Sequence, residues 1–171
     1  MRAATFSTIV LLGAATPAAA DEIAVSFELP RHDIAEYHKP YVAIWVERAD
    51  RSVAATLAVW YDTRLKEREG EKWLKDLRRW WRRAGRDLAL PIDGVSGATR
   101  APGKQTLSFT PGKGPLPALE PGAYTLIVEA ARESGGRESV ELPFTWPDEA
   151  GAPVQARGAS EIGAVDLQIV R

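Results

Sequence analysis

Apolar and polar positions alternate along residues 22–29, where Ile23, Val25, Phe27 and Leu29 are separated by Ala24, Ser26 and Glu28. That period of two predicts a half-buried strand ended by Pro30. Residues 41–46 form a denser apolar run, Tyr41-Val42-Ala43-Ile44-Trp45-Val46, which predicts a central strand covered on both faces. A turn around residues 49–51 returns the chain into 53–60, so the first third reads as a three-strand antiparallel meander. At 71–83 the period changes. Trp73, Leu74, Leu77, Trp80 and Trp81 recur at three- and four-residue spacing among lysines and arginines, predicting one amphipathic helix with an aromatic face. Trp73, Leu77 and Trp81 are expected in the core, and Gly85 is a fitting stop. A long loop, 86–104, follows. Strand patterns then resume at 105–109, 123–131, 138–146 and 164–170, with Ser134-Gly135-Gly136 as a hairpin turn.

Short strands separated by Pro and Gly turns predict a mainly β fold, an immunoglobulin-like or Greek-key β-sandwich of about seven strands with one amphipathic helix inserted after the third. The first twenty residues carry Arg2, an apolar run and the triplet Ala18-Ala19-Ala20, the pattern of a secretory signal peptide cleaved before Asp21. Residues 21–171 are then expected to form a single exported, periplasmic domain. The formal charge of −1 becomes −2 once Arg2 is removed, which predicts no affinity for nucleic acid or anionic membranes. Cysteine is absent from the sequence, so thiolate catalysis, iron–sulfur ligation and covalent haem attachment are excluded. His32 and His38 sit six residues apart, a spacing that fits no specific metal site.

The candidate chemistry lies in the long loop, at Asp93-Gly94-Val95-Ser96-Gly97-Ala98-Thr99. Asp-Gly and Ser-Gly pairs form turns, and an aspartate can bond backbone N–H groups two residues on. A structural turn is one reading of the run. The other is an exposed loop entered by an enzyme, with a small side chain beside the Thr99 hydroxyl.

The run resembles the flavinylation sequence Asp-x-x-Ser/Thr-Gly-Ala-Thr, recognised by the periplasmic FAD:protein FMN transferase in FMN-binding domains of sodium-translocating quinone reductases and Rnf-type complexes. Its five specified positions match at Asp93, Ser96, Gly97, Ala98 and Thr99. The resemblance implies that Thr99 accepts FMN from FAD through a phosphoester, with Asp93 as recognition carboxylate, Ser96 bonding the turn, and Gly97 and Ala98 giving clearance. The chain departs from those domains after Thr99, where Arg100-Ala101-Pro102 replaces further Ser/Thr and a helix. The segments from Tyr37 to Val46 and from Lys72 to Trp81, together with the loop itself, also resemble a family of small periplasmic domains of unknown function associated with PepSY-type membrane proteins. Residues 115–129, with Leu119, Pro121-Gly122, Tyr124 and Val128, resemble a hairpin of exported immunoglobulin-like domains.

These resemblances imply an exported electron carrier rather than an enzyme. Its partners would be the transferase and a membrane PepSY-type or quinone- or haem-bearing redox protein. Trp80, Trp81 and Arg82, with Arg83 and Arg86, are candidates to contact the flavin or its phosphate. Their alternative role is packing and a solvated or docking basic face. The alternative for the whole chain is a non-redox immunoglobulin-like binding module in which residues 93–99 are a turn.

Overall fold

The computed structural model describes residues 21–148 and 151–170; the proposed signal peptide lies outside them. Nine strands form two sheets: β1 (Glu22–Leu29), β2 (Tyr41–Arg48), β3 (Val53–Tyr61), β4 (Ser96–Ala98), β5 (Gly103–Phe109), β6 (Gly122–Ala131), β7 (Arg137–Trp146), β8 (Val154–Arg157) and β9 (Ala164–Val170). One sheet has the order β5-β1-β9-β8, the other β4-β3-β2-β6-β7. The protein is a β-sandwich, as the alternation predicts. All seven expected strands are present. The two further strands, β4 and β8, escape the pattern because one is only three residues of small side chains and the other carries a single large apolar residue, Val154.

The expected meander does not form. β1 pairs antiparallel with β5 and β9, whereas β2 pairs with β3 and β6. The connection through 30–40 therefore crosses from one sheet to the other. Long-range pairing decides this: Ile23, Val25, Phe27 and Leu29 bury one face of β1 against the inner face of the second sheet.

That inner core also takes Val42, Ile44 and Val46 from β2, Leu126 and Val128 from β6, and Val165, Leu167 and Ile169 from β9. The other face of β2 and β3 is buried too. Ala43, Trp45, Val59 and Tyr61 pack against Leu74, Leu77 and Trp80, so the five-stranded sheet is a middle layer between sheet and helical cap. Full burial of β2 on both sides meets the expectation set by its continuous apolar run.

The cap differs from the single helix predicted for 71–83. A 3-10 segment, Lys66–Asp76, is followed at Leu77 (φ −75°, ψ 69°) by a break and then by α1, Arg78–Arg83. The break shifts the helical phase. Leu77 and Trp80 are fully buried, Trp81 is half-buried, and Trp73 faces outward with 53% of its surface exposed.

Helix α1 has no side-chain cap of its own; the sheet supplies one. Glu129 of β6 accepts hydrogen bonds from the N–H groups of Arg79 (3.0 Å) and Trp80 (2.8 Å). Two of the orphan donors at the helix start are thereby satisfied by one buried carboxylate. Arg79 pairs with Glu47 and Glu141, and Arg83 approaches Glu47 at 3.8 Å, so part of the basic face meets sheet carboxylates instead of solvent.

Burial holds the Glu129 carboxyl above its usual 4.5, against the lowering pull of the two N–H bonds. The unfolded chain therefore releases this proton first, and the stability Glu129 contributes is greatest below pH 4.5 and declines as pH rises through the folded value. Urea unfolding of wild type and Glu129→Gln near pH 4.5 and about pH 7 should show the wild-type advantage shrinking at the higher pH. A widening gap would contradict the assignment. Glu129→Ala, which orphans both N–H groups, is expected to cost roughly 1–3 kcal/mol per group.

Candidate functional site

Residues 92–99 are half turn and half strand, a correction to the exposed loop expected from their glycines. The Ile92 carbonyl accepts from Val95 (3.2 Å) and Ser96 (2.8 Å), with Gly94 at φ +71° inside the turn, where an L side chain would be strained. The Ile92 N–H donates back to Ser96 Oγ at 2.9 Å. Val95 is buried under the helical cap beside Leu90. Asp93 is exposed, and its carboxylate makes no hydrogen bond within the turn among the described residues.

The following residues are zipped onto the edge of β3. Val59 N–H donates to the Val95 carbonyl (2.9 Å), β4 pairs parallel with β3 through Ser96, Gly97 and Ala98, and Thr99 N–H donates to the Tyr61 carbonyl (3.2 Å). Gly97 gives clearance to the protein's own Trp60: a Cβ there would lie 3.2 Å from the indole Cδ1. The next residue fixes the exit. Arg100 lays its guanidinium over the Trp60 ring, 3.9 Å from its centroid. Neither Trp60 nor Arg100 carried a functional signal in the sequence, because their stacking depends on the β3–β4 register.

This register delivers half-buried Thr99 to a groove of about 710 Å³ across one end of the five-stranded sheet. The size is within the range of roughly 300–1,000 Å³ typical of small-molecule sites. Sheet order explains the wall: Thr99 follows β4, Asp62 follows β3, Tyr41 starts β2, Ala131 ends β6 and Arg137 starts β7. Trp73 and Leu65 also line it, and both are exposed apolar side chains. Among the described residues the Thr99 hydroxyl has no hydrogen-bond partner. Burial raises the Tyr41 hydroxyl, and burial likewise raises that of Tyr37 against the opposing charge of Arg132, so both phenols stay neutral at ordinary pH.

The far wall is the β6–β7 turn and the loop before β2. Arg132 forms a two-pronged bond to buried Glu161 (both 2.9 Å), and Gly136 N–H donates to the same carboxylate at 2.8 Å. Arg132 Nη1 is buried without a hydrogen-bond partner. His32 approaches Glu161 at 3.4 Å, and His38 approaches Glu133 at 3.5 Å. No group of three or more acidic, histidine or cysteine side chains among the described residues could hold a metal ion.

The structure brings Asp93, Ser96, Gly97, Ala98 and Thr99 onto one short segment, but it does not bring Trp80, Trp81 or Arg82 to the groove. Trp80 is sealed beneath the cap with Nε1 bonded to Thr56 Oγ1 (3.2 Å). Arg82 is exposed, and its carbonyl accepts from Arg86. The groove's aromatic residues are instead Trp73, Tyr37 and Tyr41; helical periodicity predicts the first in the core, and nothing local sets the two tyrosines apart.

A family model described as "Predicted periplasmic protein (DUF2271)" matches residues 22–164, spanning the motif, the groove-lining residues and strands β1 to β8. The chain belongs to the DUF2271 family. Its place is the periplasm, and no helix among the described residues is long and apolar enough to cross a membrane. No curated protein and no solved structure matches the chain significantly.

The Arg132–Glu161 pair ties the groove's far wall to the loop before β9. Burial works to raise the Glu161 carboxyl, but bonds from Arg132 and Gly136 and the charges of Arg132 and His32 outweigh it and hold the group below its usual 4.5. Its stabilising contribution is therefore present above pH 4.5 and lost as pH falls through the folded value. Glu161→Gln should cost about 3 kcal/mol at neutral pH, as for breaking a buried pair, and the difference from wild type should narrow below pH 4.5. Denaturant melts across that range check it; a difference independent of pH would refute it.

Proposed function

We propose that this DUF2271 protein is an exported flavoprotein-type electron carrier, with FMN attached through a phosphoester to Thr99. The observation that carries the reading is the Thr99 hydroxyl: it ends a motif matched at all five specified positions, is free of hydrogen bonds among the described residues, and borders a groove of about 710 Å³. The residues fit the group. Trp73, Tyr37 and Tyr41 offer flat apolar surface, Lys39, Arg64 and Arg137 offer positive charge, and Arg132 Nη1 is a donor without an acceptor.

Attachment makes Thr99 a substrate. Its Oγ1 forms a bond to the FMN phosphorus of FAD, the pyrophosphate P–O bond to AMP breaks, AMP leaves, and the hydroxyl proton is released to base or solvent. The transferase and its metal ion supply the electrostatics for that displacement. Asp93, exposed and unbonded in the turn, presents a carboxylate for the transferase to read. When bound, FMN supplies electron transfer, and the protein supplies position and surroundings. A covalent tether keeps the cofactor at high effective concentration in a compartment where a dissociated flavin is lost by dilution. Electrons would pass to and from a membrane PepSY-type or quinone- or haem-bearing partner.

Co-expression with the transferase tests the reading by intact mass and in-gel flavin fluorescence. The expected adduct equals FMN less water and is absent in Thr99→Ala. Unmodified wild type beside a transferase proven active on another substrate would overturn the reading and favour a plain binding module. Asp93→Ala should lose most of the labelling while shifting stability by less than about 0.5 kcal/mol, because the side chain has no partner in the turn.

A further inference from the structure

The groove leaves a tryptophan exposed on a backbone that is held in place. Trp73 is the most exposed of the large hydrophobic side chains among the described residues, at 53%, and Leu65 beside the same groove is 41% exposed. Burying a side chain of this size is ordinarily worth a few kcal/mol, so a chain that could fold the indole inward would gain by doing so. The backbone prevents it. Leu74, just after Trp73, and Leu77, at the break, are fully buried against the sheet. Gly70 packs so closely on Asp62 that a Cβ would lie 2.0 Å from its carbonyl oxygen. Arg68, at φ 58°, is held by two 2.7 Å bonds to Glu71 and a further bond to the Leu90 carbonyl. The 3-10 segment is thus anchored on both sides of Trp73, and its backbone presents the indole at the groove wall as a flat, exposed surface.

Thr99 opens on the same groove. Adjacent strands lie about 4.8 Å apart, and a phosphate with a five-carbon arm, extended, is longer than that spacing. A ring tethered at the β4 edge is therefore long enough in the arm to reach past the end of β3 into the groove that Thr99 and Trp73 both line. We propose that this groove seats the isoalloxazine ring of FMN carried on Thr99, and that Trp73 is its stacking face. The inference rests on the reading of Thr99 given above. It makes Trp73 a cofactor-positioning residue, in place of Trp80 and Trp81.

Two measurements separate this inference from the reading it rests on. In protein shown by mass to carry the adduct, Trp73→Ala should raise flavin emission severalfold, because a stacked indole quenches flavin fluorescence, and Trp73→Phe should give an intermediate value. Labelled Trp73→Ala as dim as labelled wild type would overturn the inference and leave the carrier reading standing. In the Thr99→Ala background, which cannot be labelled, titration with free FMN should bind, and adding Trp73→Ala should weaken it roughly tenfold, the scale of one lost aromatic stack. Free FMN binding that Trp73→Ala leaves unchanged would also overturn the inference. Absence of the adduct from wild type would defeat the carrier reading and this inference together. Far-ultraviolet circular dichroism of each variant guards against misfolding, which an exposed position makes a small risk.

Discussion

Two backbone N–H groups at the start of α1 end on a single carboxylate from the middle of β6. A six-residue helix is too short to be stable alone, and its first turn is basic, the wrong sign for the positive end of the helix dipole. Glu129 supplies the missing acceptors from beneath, while Glu47 and Glu141 bring negative charge to Arg79 on the same surface. Without these contacts the outer face of the five-stranded sheet, with Trp45, Val59 and Tyr61, would lose the cap that keeps it dry.

The cap has a topological consequence. The segment from β3 to β4 passes over the outer face of the sheet and returns beside β3 in parallel, the only way a parallel neighbour can follow directly in sequence. β4 then covers the edge that β3 would otherwise expose. Its register is fixed from both sides, by Val95 beneath the cap and by Arg100 stacked on Trp60. Thr99 is placed at the end of the sheet by the same packing that stabilises the core.

Much of the frame was legible from period alone. β1, β7 and β9 alternate cleanly enough to be read to within a residue, and the unbroken apolar run of β2 announced that both its faces are covered. Pairing was not legible. β1 seeks β9, some 140 residues away, as the Ser26 to Asp166 hydrogen bond illustrates, and nothing local signals that choice. The tryptophans misled because a single break at Leu77 rotates everything before it: Trp73 and Trp80, seven apart, share a face in a continuous helix and part company here. The motif was visible as residues, but its surroundings were not. Trp73, the pair Tyr37 and Tyr41, and Arg132 converge on the groove from three separate stretches of chain.

Under the proposed modification Thr99 would face opposed requirements. It would have to be reachable while the transferase acts, and its cofactor would afterwards have to be held in a defined setting. An internal loop would meet the first and fail the second; a buried strand would do the reverse. Placing the motif at a sheet edge divides the tasks along seven residues. The turn at Asp93 and Gly94 projects into solvent, where the proposed recognition would need it, and the backbone is progressively zipped onto β3 until Thr99 meets the groove. The bond from Thr99 N–H to the Tyr61 carbonyl leaves the side-chain hydroxyl as the free polar group at that point. An attached group would then be directed by an ordered backbone toward a wall whose tryptophan is already in place, so that little further ordering is needed on attachment.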